Sequence, residues 1–341
     1  MIRPLVSVII LSYNSKHCIE KCLDSLLAQD YQALEILIII TGSADGSKEL
    51  IYQKYSRNKK IRIFDPGENL WFSRGNNFGI KNSQGTYVLA LNQDTVLEPA
   101  FLERLAAVME HERDLGSVTG KLRHYDFSIN SKTKILDSTG IEMFKTKRVI
   151  DRGQWEVDQG QYDWDTEVFG ASGAAAMYRR SALEEVKLPK AGGDFEYFDE
   201  DFVAYKEDVD LAWRLQLSGF KCKHVPGAVL YHGRTVGRSW PTQFVRFILN
   251  RRKQSRLVRK LSFKNHYLMV VKNSVGSVFW RHFAYFFARE ILLFIYTFAF
   301  EPFQVFALAD FFKQLPEARR KRAIIMSRVK IPVAEIAALF H

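Results

Sequence analysis

The sequence predicts an α/β fold with a parallel sheet, followed by a basic helical C-terminal region. In the first 120 residues, short continuous apolar runs alternate with helical patterns. Charged residues are distributed unevenly, since residues 1–233 hold 29 Lys and Arg against 33 Asp and Glu, whereas residues 234–331 hold 20 against 4. The 341 residues are 47% hydrophobic and 26% charged, which is typical of a globular protein and excludes a disordered or collagenous chain.

The first strand–helix unit sets the pattern for the elements that follow. Residues 5–11 form an apolar run typical of a buried parallel strand, and Ile19, Cys22 and Leu26 then recur at helical spacing. Further strands are predicted at 35–40, 61–64 and 87–91, and further helices at 48–55 and 75–81. Right-handed crossovers between parallel strands are the usual way to connect such a series.

The three cysteines favour a reducing compartment. Cys18, Cys22 and Cys222 are an odd number, and the sequence shows no signal-peptide pattern, so we expect free thiols in a cytosolic protein. Cys18 and Cys22 lie one helical turn apart, but no CxxC pair or nearby histidine completes a metal site. They are therefore interpreted as core residues.

Polar segments follow three of the predicted strands, where ligands bind in parallel sheets. They are Ser12-Tyr13-Asn14, residues 41–47 and residues 92–94. No GxGxxG follows the first strand and no GxxxxGK[ST] occurs in the sequence. The sequence therefore disfavours a dinucleotide-binding oxidoreductase and a P-loop protein.

Asn92 and Asp94 place an amide and a carboxylate two residues apart directly after an apolar strand. Oxygen ligands of this kind bind hard divalent ions. Asn and Asp are also common turn residues, so the pattern alone is equally compatible with a structural turn.

A second acidic cluster, residues 198–210, carries six carboxylates interleaved with aromatic side chains. Glu207 and Asp208 begin a predicted helix over 208–217, where the helix dipole favours an anion. The small residues of 170–176 allow close backbone approach to a ligand. We therefore favour a general base here over a helix cap.

The C-terminal region is basic and rich in phenylalanine, with eleven Phe from Phe279 to Phe312. Its longest uncharged stretch, 291–300, is too short to span a bilayer, which needs about 20 residues. We expect interfacial helices on an anionic leaflet, with residues 319–322 as the densest basic run. The alternative is a helical subdomain that packs its Phe on the main core and leaves a solvated basic face.

Five segments together resemble family 2 of the inverting glycosyltransferases, which have the GT-A fold. They are VSVIILSYNS at 6–15, GSADGS at 42–47, ENLWFSRGNNFGI at 68–80, LNQDT at 91–95 and EDVDLAWRLQLSGF at 207–220. The resemblance covers about residues 5–233. ILDSTG at 135–140 and the stretch 151–183 are similar to the rhamnosyltransferase branch that acts in surface-polysaccharide biosynthesis.

The resemblance implies a GT-A catalytic domain over residues 1–238, a Rossmann-like mixed sheet flanked by helices. The half that binds the donor is about residues 1–120. The half that binds the acceptor and carries the general base is about residues 121–238. Residues 239–341 are then a C-terminal helical region that associates with the membrane.

Functional residues follow from the same resemblance. Nucleotide-sugar binding is expected at Ser12, Tyr13, Asn14, Asp45, Asn69, Arg74, Asn76, Asn92 and Gln93. Asp94 stands for the last carboxylate of the DxD motif and implies Mg²⁺ or Mn²⁺, with Asn92 and His232 as further ligands. A histidine after a strand can equally be structural. The catalytic pair is Asp208, as general base, with Glu207.

Two departures from the family pattern concern the donor. Ile40 and Thr41 stand where the family has an Asp-Asn pair, which removes a carboxylate expected to bind the nucleotide base. Trp71 and Arg74 replace small residues, so Trp71 is expected to narrow the donor pocket and Arg74 to bind the diphosphate.

The predicted function is metal-dependent inverting transfer of a hexose, with L-rhamnose from dTDP-rhamnose as the first candidate. The expected acceptor is a lipid-linked glycan, and the expected location is peripheral, on the cytoplasmic face of the cell membrane. A non-catalytic nucleotide-sugar or membrane-surface binding protein is the main alternative, and it would tolerate loss of Asp208. A nucleic-acid partner is not expected because residues 1–233, which hold the candidate site, are acidic. A nucleotidyltransferase is disfavoured because no basic glycine-rich loop follows the first strand.

Overall fold

The computed structural model describes residues 3–233 and 254–341. Its strands are β1 (Val6–Ser12), β2 (Leu34–Ile40), β3 (Ile61–Phe64), β4 (Tyr87–Asn92), β5 (Thr95–Leu97), β6 (Leu115–Asp126), β7 (Ser131–Ser138), β8 (Ile141–Met143), β9 (Val149–Asp151), β10 (Glu167–Val168), β11 (Ala175–Arg179), β12 (Leu188–Pro189), β13 (Phe195–Glu196) and β14 (Lys221–His232). Its helices are α1 (Ile19–Leu27), α2 (Ser47–Tyr55), α3 (Trp71–Asn82), α4 (Phe101–His111), α5 (Arg180–Val186), α6 (Glu207–Leu217), α7 (Arg256–Asn273), α8 (Gly276–Arg281), α9 (Phe283–Phe300), α10 (Val305–Ser327) and α11 (Val333–Ala338).

A mixed sheet with the order β3-β2-β1-β4-β11-β6-β14-β10 forms the centre of the protein. Strands β3, β2, β1 and β4 are parallel, so their carboxyl ends meet at one edge. Strand β11 is antiparallel to both β4 and β6. The sheet therefore joins a parallel half to a mixed half, as the sequence predicts.

The predicted strands and helices of the first 120 residues are confirmed, with one change of boundary. Helix α3 begins at Trp71 rather than at Gly75. The backbone N–H of Trp71 donates to Asn69 Oδ1 at 2.8 Å, which satisfies one of the unpaired donors at the helix start. Burial of Cys18, Cys22 and Cys222 as free thiols confirms their interpretation as core residues.

The C-terminal helices share a hydrophobic core with α6. Trp213 and Leu217 of α6 pack in one cluster with Leu268 of α7, Ile325 of α10 and Phe340. The predicted boundary between residues 238 and 239 lies outside the described residues.

The basic run of residues 319–322 is not a free cationic surface, contrary to the expectation that it contacts the leaflet. Lys321 is buried, and Arg322 donates to Val271 O at 2.7 Å. Arg320 pairs with Glu317 and donates to Pro189 O. Arg319 and Arg320 are exposed, and Arg319 forms no ion pair within the described residues. The helical period turns Lys321 and Arg322 toward the rest of the protein.

A buried ion cluster joins α7 and α10 to the acidic segment that precedes α6. Lys321 contacts Glu196, Asp199 and Asp201 at 2.6 to 2.8 Å. Lys272 of α7 pairs with Asp199 and, at 2.8 Å, with Asp210. Several of the carboxylates that the sequence places in one acidic cluster are thus neutralised by the C-terminal helices.

The segment 203–206, directly before α6, is held in an unusual conformation. Val203, Tyr205 and Lys206 have φ of 65°, 71° and 74°, a region that non-glycine residues adopt at a cost. Asn265 Nδ2 of α7 donates to the carbonyls of Phe202, Ala204 and Tyr205 at 2.8 to 2.9 Å. The amide of Asn265 therefore stabilises this strained turn.

Within residues 3–233 and 254–341, no single helix has the length and apolarity to cross a bilayer. One bent pair, residues 283–297 and 302–327, meets the criteria only when the two helices are taken together, and they meet at 116°.

Replacing Lys321 is expected to destabilise the protein strongly. Lys321→Met leaves buried carboxylates without their cation, which typically costs about 3 to 5 kcal/mol. The matched control Arg319→Met removes an exposed charge and should change the free energy of unfolding by less than about 0.5 kcal/mol. Urea unfolding of both variants measures the difference, and equal midpoints would contradict the role of the cluster.

Candidate active site

A cleft of about 620 Å³ lies at the carboxyl ends of β1 and β4 and at the start of α6. Its polar and charged lining consists of His17, Asn76, Asn92, Gln93, Asp94, Asp151, Ser172, Lys206, Glu207, Asp208 and His232. Both predicted reactive segments, residues 92–94 and 207–208, therefore face the same cavity.

The turn after β4 is tied to the turn after β1. The backbone N–H of Tyr13 donates to Gln93 Oε1 at 2.8 Å, and Gln93 Nε2 donates to Tyr13 O at 2.9 Å. Because Gln93 is fixed in this way, Asn92 and Asp94 on either side of it are directed into the cleft.

His232, at the end of β14, lies between two carboxylates. Its Nδ1 is 2.8 Å from Asp137 Oδ2, and its Nε2 is 3.4 Å from Asp94 Oδ1. Burial alone would lower the pKa of His232, but Asp94 and Asp137 together raise it to about 10. The Nε2 atom also lies 3.3 Å from Asn92 Nδ2, so the three predicted metal ligands are brought together.

These side chains fit a divalent ion that is completed by a ligand. The described residues hold no group of three His, Cys, Asp or Glu side chains that could bind a metal by themselves. Asp94 and Asn92 supply oxygen ligands, His232 adds its Nε2 once that atom has released its proton, and ions such as Mg²⁺ commonly take the rest from phosphate oxygens and water. Asp137 holds His232 from behind, an arrangement that orients metal-bound imidazoles.

Asp208, in the first turn of α6, is held by two backbone donors. The N–H of Gly173 donates to its Oδ2 at 3.0 Å and that of Val209 to its Oδ1 at 2.8 Å. A Cβ at position 173 would lie 3.0 Å from Asp208 Oδ2, so a larger residue there would push the carboxylate by a few tenths of an ångström. The small-residue segment noted in the sequence thus fixes the orientation of the carboxylate.

The pKa values of the two catalytic candidates are both raised. Burial and the charge of Asp151 raise the pKa of Asp208, and burial and the charge of Asp208 raise that of Glu207 well above its ordinary value. Glu207 is buried, and its Oε2 has no hydrogen-bond partner within the described part of the chain. Glu207 is therefore the better candidate to stay protonated, and Asp208 the better base.

The other predicted donor residues lie outside the cleft lining. Asn14 Oδ1 accepts the N–H of Ala44, and Asp45 accepts those of Lys16 and Ser47, so these side chains brace the loops after β1 and β2. Ser12 is buried against Ser15, and Tyr13 is exposed.

Asn69 caps α3, and Arg74 does not face the cleft. The guanidinium of Arg74 pairs with Glu68 at 3.0 Å on the surface. Trp71 does line the cleft, beside Asn76. Thr41 donates its hydroxyl to Ser12 O at 3.1 Å and continues the strand pairing.

The remaining walls of the cleft are apolar and come from two later segments. They are Ile141, Val149 and Ile150 around the β8–β9 hairpin, and Leu257, Val258 and Leu261 at the start of α7. The C-terminal region therefore contributes directly to the cavity.

Sequence reasoning missed several of the site residues. Asp137 lies in the ILDSTG segment, but its contact with His232 spans 95 positions and leaves no local pattern. Asp151 and Lys206 show no sequence signal of their own. They only lie within segments that the sequence already marks, the stretch 151–183 and the acidic cluster 198–210. Asn265 could not be found, because its partners lie about 60 residues earlier in the chain.

Residues 7–187 match the protein family described as "Glycosyl transferase family 2". Poly-beta-1,6-N-acetyl-D-glucosamine synthase of Staphylococcus aureus is 29% identical over 238 residues, which cover 69% of this chain and 52% of that protein. The enzyme of the same name from Staphylococcus epidermidis is 28% identical over 242 residues, with the same coverage. The chain thus spans about half the length of the curated relatives it matches.

Solved structures with a similar fold include the mannosyltransferase PcManGT from Pyrobaculum calidifontis in complex with GDP-Man and Mn²⁺. It has a TM-score of 0.54 and 17% identity, covering 99% of this chain and 79% of that one. Staphylococcus aureus TarS 1-349 in complex with UDP-GlcNAc has a TM-score of 0.56 and 16% identity, covering 98% and 89%.

Proposed function

Because the chain belongs to glycosyl transferase family 2 and has the GT-A fold, we propose that it transfers a hexose from a nucleotide-diphospho-sugar to a glycan acceptor with inversion. The family and fold expected from the sequence resemblance are thereby confirmed, while the rhamnosyltransferase branch stays a prediction. The observation that carries the proposal is that Asp94 with His232 and Asp208 with its two backbone donors line one cleft.

Asp208 is the group that removes the proton from the acceptor hydroxyl. Inversion requires a single base on the side opposite the leaving group, and the N–H groups of Gly173 and Val209 fix the carboxylate for that task. Its raised pKa makes the anion a stronger proton acceptor. Burial and the charge of Asp208 raise the pKa of Glu207 and keep it protonated, so it adds no second negative charge beside the attacking oxygen.

Asp94, His232 and Asn92 are the residues proposed to hold Mg²⁺ or Mn²⁺. When bound, such an ion offsets the negative charge that develops on the diphosphate leaving group. Asp94 supplies the anionic ligand, and Asp137 orients the imidazole of His232. The relative PcManGT was solved with Mn²⁺, which supports a divalent ion here.

The donor remains open between several nucleotide sugars. We keep dTDP-L-rhamnose as the first candidate because of the segments 135–140 and 151–183. The solved structures with a similar fold suggest other donors, since they contain GDP-Man or UDP-GlcNAc. Thr41, whose hydroxyl is engaged with Ser12, offers no carboxylate to a nucleotide base, consistent with base recognition that differs from the family pattern.

We further propose peripheral binding to an anionic membrane, on the cytoplasmic side. The apolar surface of α9 and α10 supports this, with Leu292, Ile295 and Phe306 each more than 60% exposed. Exposed apolar patches of this kind mark interaction sites. The basic residues that stay exposed are the ones that contact the anionic lipid, because Lys321 and Lys272 are buried inside the protein. A nucleic-acid partner would leave this apolar face unexplained.

A panel of nucleotide sugars tests the donor and the metal together. In a thermal shift assay with Mn²⁺, we expect dTDP-rhamnose to stabilise the protein more than UDP-GlcNAc or GDP-Man. Asp94→Asn should lose the Mn²⁺-dependent part of the shift and about 10²-fold or more of the transfer rate. The control Asp114→Asn, at an exposed position, should behave like the wild type. Full activity in excess EDTA would refute the metal assignment.

Loss of Asp208 should separate donor binding from turnover. Asp208→Asn is expected to bind the donor normally and to lose about 10² to 10⁴ in kcat, whereas Glu207→Gln should retain most of it. Since the base must be ionised and its pKa is raised, kcat/KM should begin to fall with decreasing pH already above the usual range of an aspartate. A nearly wild-type Asp208→Asn enzyme with an inactive Glu207→Gln enzyme would move the role to Glu207. Two fully active variants would mean that neither carboxylate is the base, and a wild type that binds the donor without transferring sugar would favour a non-catalytic binding protein.

Membrane binding is tested by co-sedimentation with vesicles. Wild-type protein should bind vesicles that contain phosphatidylglycerol more than neutral ones, and salt should weaken the binding. Ile295→Glu with Phe306→Glu should reduce it. The matched control Ile129→Glu with Val157→Glu changes exposed apolar residues of the catalytic half and should not. Wild-type protein that binds neither vesicle at low salt would exclude the proposal.

A further inference from the structure

A second cavity, separate in its lining from the catalytic cleft, lies between the β8–β9 turn and α9. We call it the hairpin groove. Its volume is about 650 Å³. Residues 144–148 of the turn form one wall, and side chains along one face of α9 form the other, from Tyr285 through Arg289 to Tyr296.

The charged side chains that line the hairpin groove are all positive. His341 also lines the groove, and its backbone oxygen accepts the N–H of Lys145 at 2.9 Å. Lys145, Arg148 and Arg289 line it, and no aspartate or glutamate side chain does. Arg289 is engaged with Glu290, whereas Lys145 and Arg148 form no ion pair among the residues that the structure describes. Two cations beside a cavity without an acidic partner are complementary to a phosphate or diphosphate group.

The rest of the lining is apolar or aromatic and opens toward the exposed face of α9. Leu292 and Tyr285 line the groove and are 69% and 57% exposed. A soluble anion such as free phosphate would leave these side chains in water. A ligand that combines a phosphate with an apolar chain would cover them and also contact the cations.

The hairpin connects this groove to the catalytic cleft. Arg148 lines the groove, and the next three residues, which form β9, line the cleft that contains Asp208. At the rise of an extended strand, Arg148 and Asp151 are about 10 Å apart. A short glycan can bridge that distance, with its lipid phosphate in the groove and its hydroxyl in the cleft.

We propose that the hairpin groove binds the phosphate and the first part of the apolar chain of the lipid that carries the acceptor glycan. The proposal rests on the proposed function, because it assigns the acceptor to a lipid phosphate. Lys145 and Arg148 recognise the phosphate, Leu292 and Tyr285 cover the chain, and β9 leads the glycan toward Asp208.

Binding of farnesyl phosphate to the full-length protein tests the groove without requiring transfer. The variant Lys145→Gln with Arg148→Gln should bind farnesyl phosphate about tenfold or more weakly, the loss expected for charge-assisted contacts. The control Lys313→Gln with Arg319→Gln removes the same charge from exposed positions of α10 and should bind like the wild type. Farnesol, which lacks the phosphate, should bind more weakly than farnesyl phosphate to the wild type and equally to all three proteins.

Three outcomes would overturn the proposal. Equal losses in both double variants would mean general surface attraction, and an unchanged groove variant would mean that the phosphate binds elsewhere. Equal binding of farnesol and farnesyl phosphate to the wild type would mean that the groove does not recognise the phosphate. Thermal unfolding of the variants excludes misfolding as the cause of any loss.

The transfer reaction supplies a second, separable readout. With a lipid-phosphate-linked acceptor, the groove variant should show a raised KM for the acceptor, while its Mn²⁺-dependent thermal shift with the donor stays as in the wild type. If no protein transfers sugar at all, the proposed function fails, and the farnesyl phosphate experiment still decides the groove. An unchanged KM for the acceptor in the groove variant would count against the proposal.

Discussion

The geometry of the candidate active site depends on the polar contacts between the C-terminal helices and the segment before α6. Left-handed conformations at Val203, Tyr205 and Lys206 are costly, and the Asn265 amide stabilises them by donating to three backbone carbonyls, those of residues 202, 204 and 205. These residues determine where α6 begins and thus where Asp208 points. The position of the proposed catalytic carboxylate therefore depends on a residue that follows it by more than 50 positions.

The ion cluster explains why the acidic and basic excesses occur in different parts of one sequence. Lys272 and Lys321 are charged residues that carry almost no exposed surface, and their partners are carboxylates of the catalytic half. Burying such groups is unfavourable unless each is paired, so the cluster specifies one docking arrangement of α7 and α10 more than it adds stability. Asp210 connects the cluster to α6 itself through Lys272 and Arg214.

The sequence was sufficient for the parts of the protein where neighbours in the chain are neighbours in space. Strands β1 to β4 have periodic apolar patterns, and the polar turns that follow them meet at one edge because parallel strands require it. Residues 92–94 were singled out in this way, and Asp208 was singled out by the acidic cluster at the start of a predicted helix. Arg74 pairs with Glu68, six residues earlier, at the surface, and its contact with the diphosphate stays a prediction. Asp137 and Asn265 act across long sequence separations, which no local pattern reports.

The basic C-terminal region combines roles that composition alone could not separate. A count of its lysines and arginines suggests a uniform cationic surface, yet helix periodicity sends Lys321 inward and leaves Arg319 outside. The same periodicity on α9 leaves Leu292 and Ile295 exposed, while α7 supplies Leu257 and Leu261 to the catalytic cleft. The C-terminal helices thus stabilise the segment before Asp208, form part of the cleft wall and leave an apolar face exposed. Because these helices share a hydrophobic core with α6, and Asp208 is held by the backbone N–H groups of Gly173 and Val209, a surface-bound acceptor would meet a carboxylate that is already oriented.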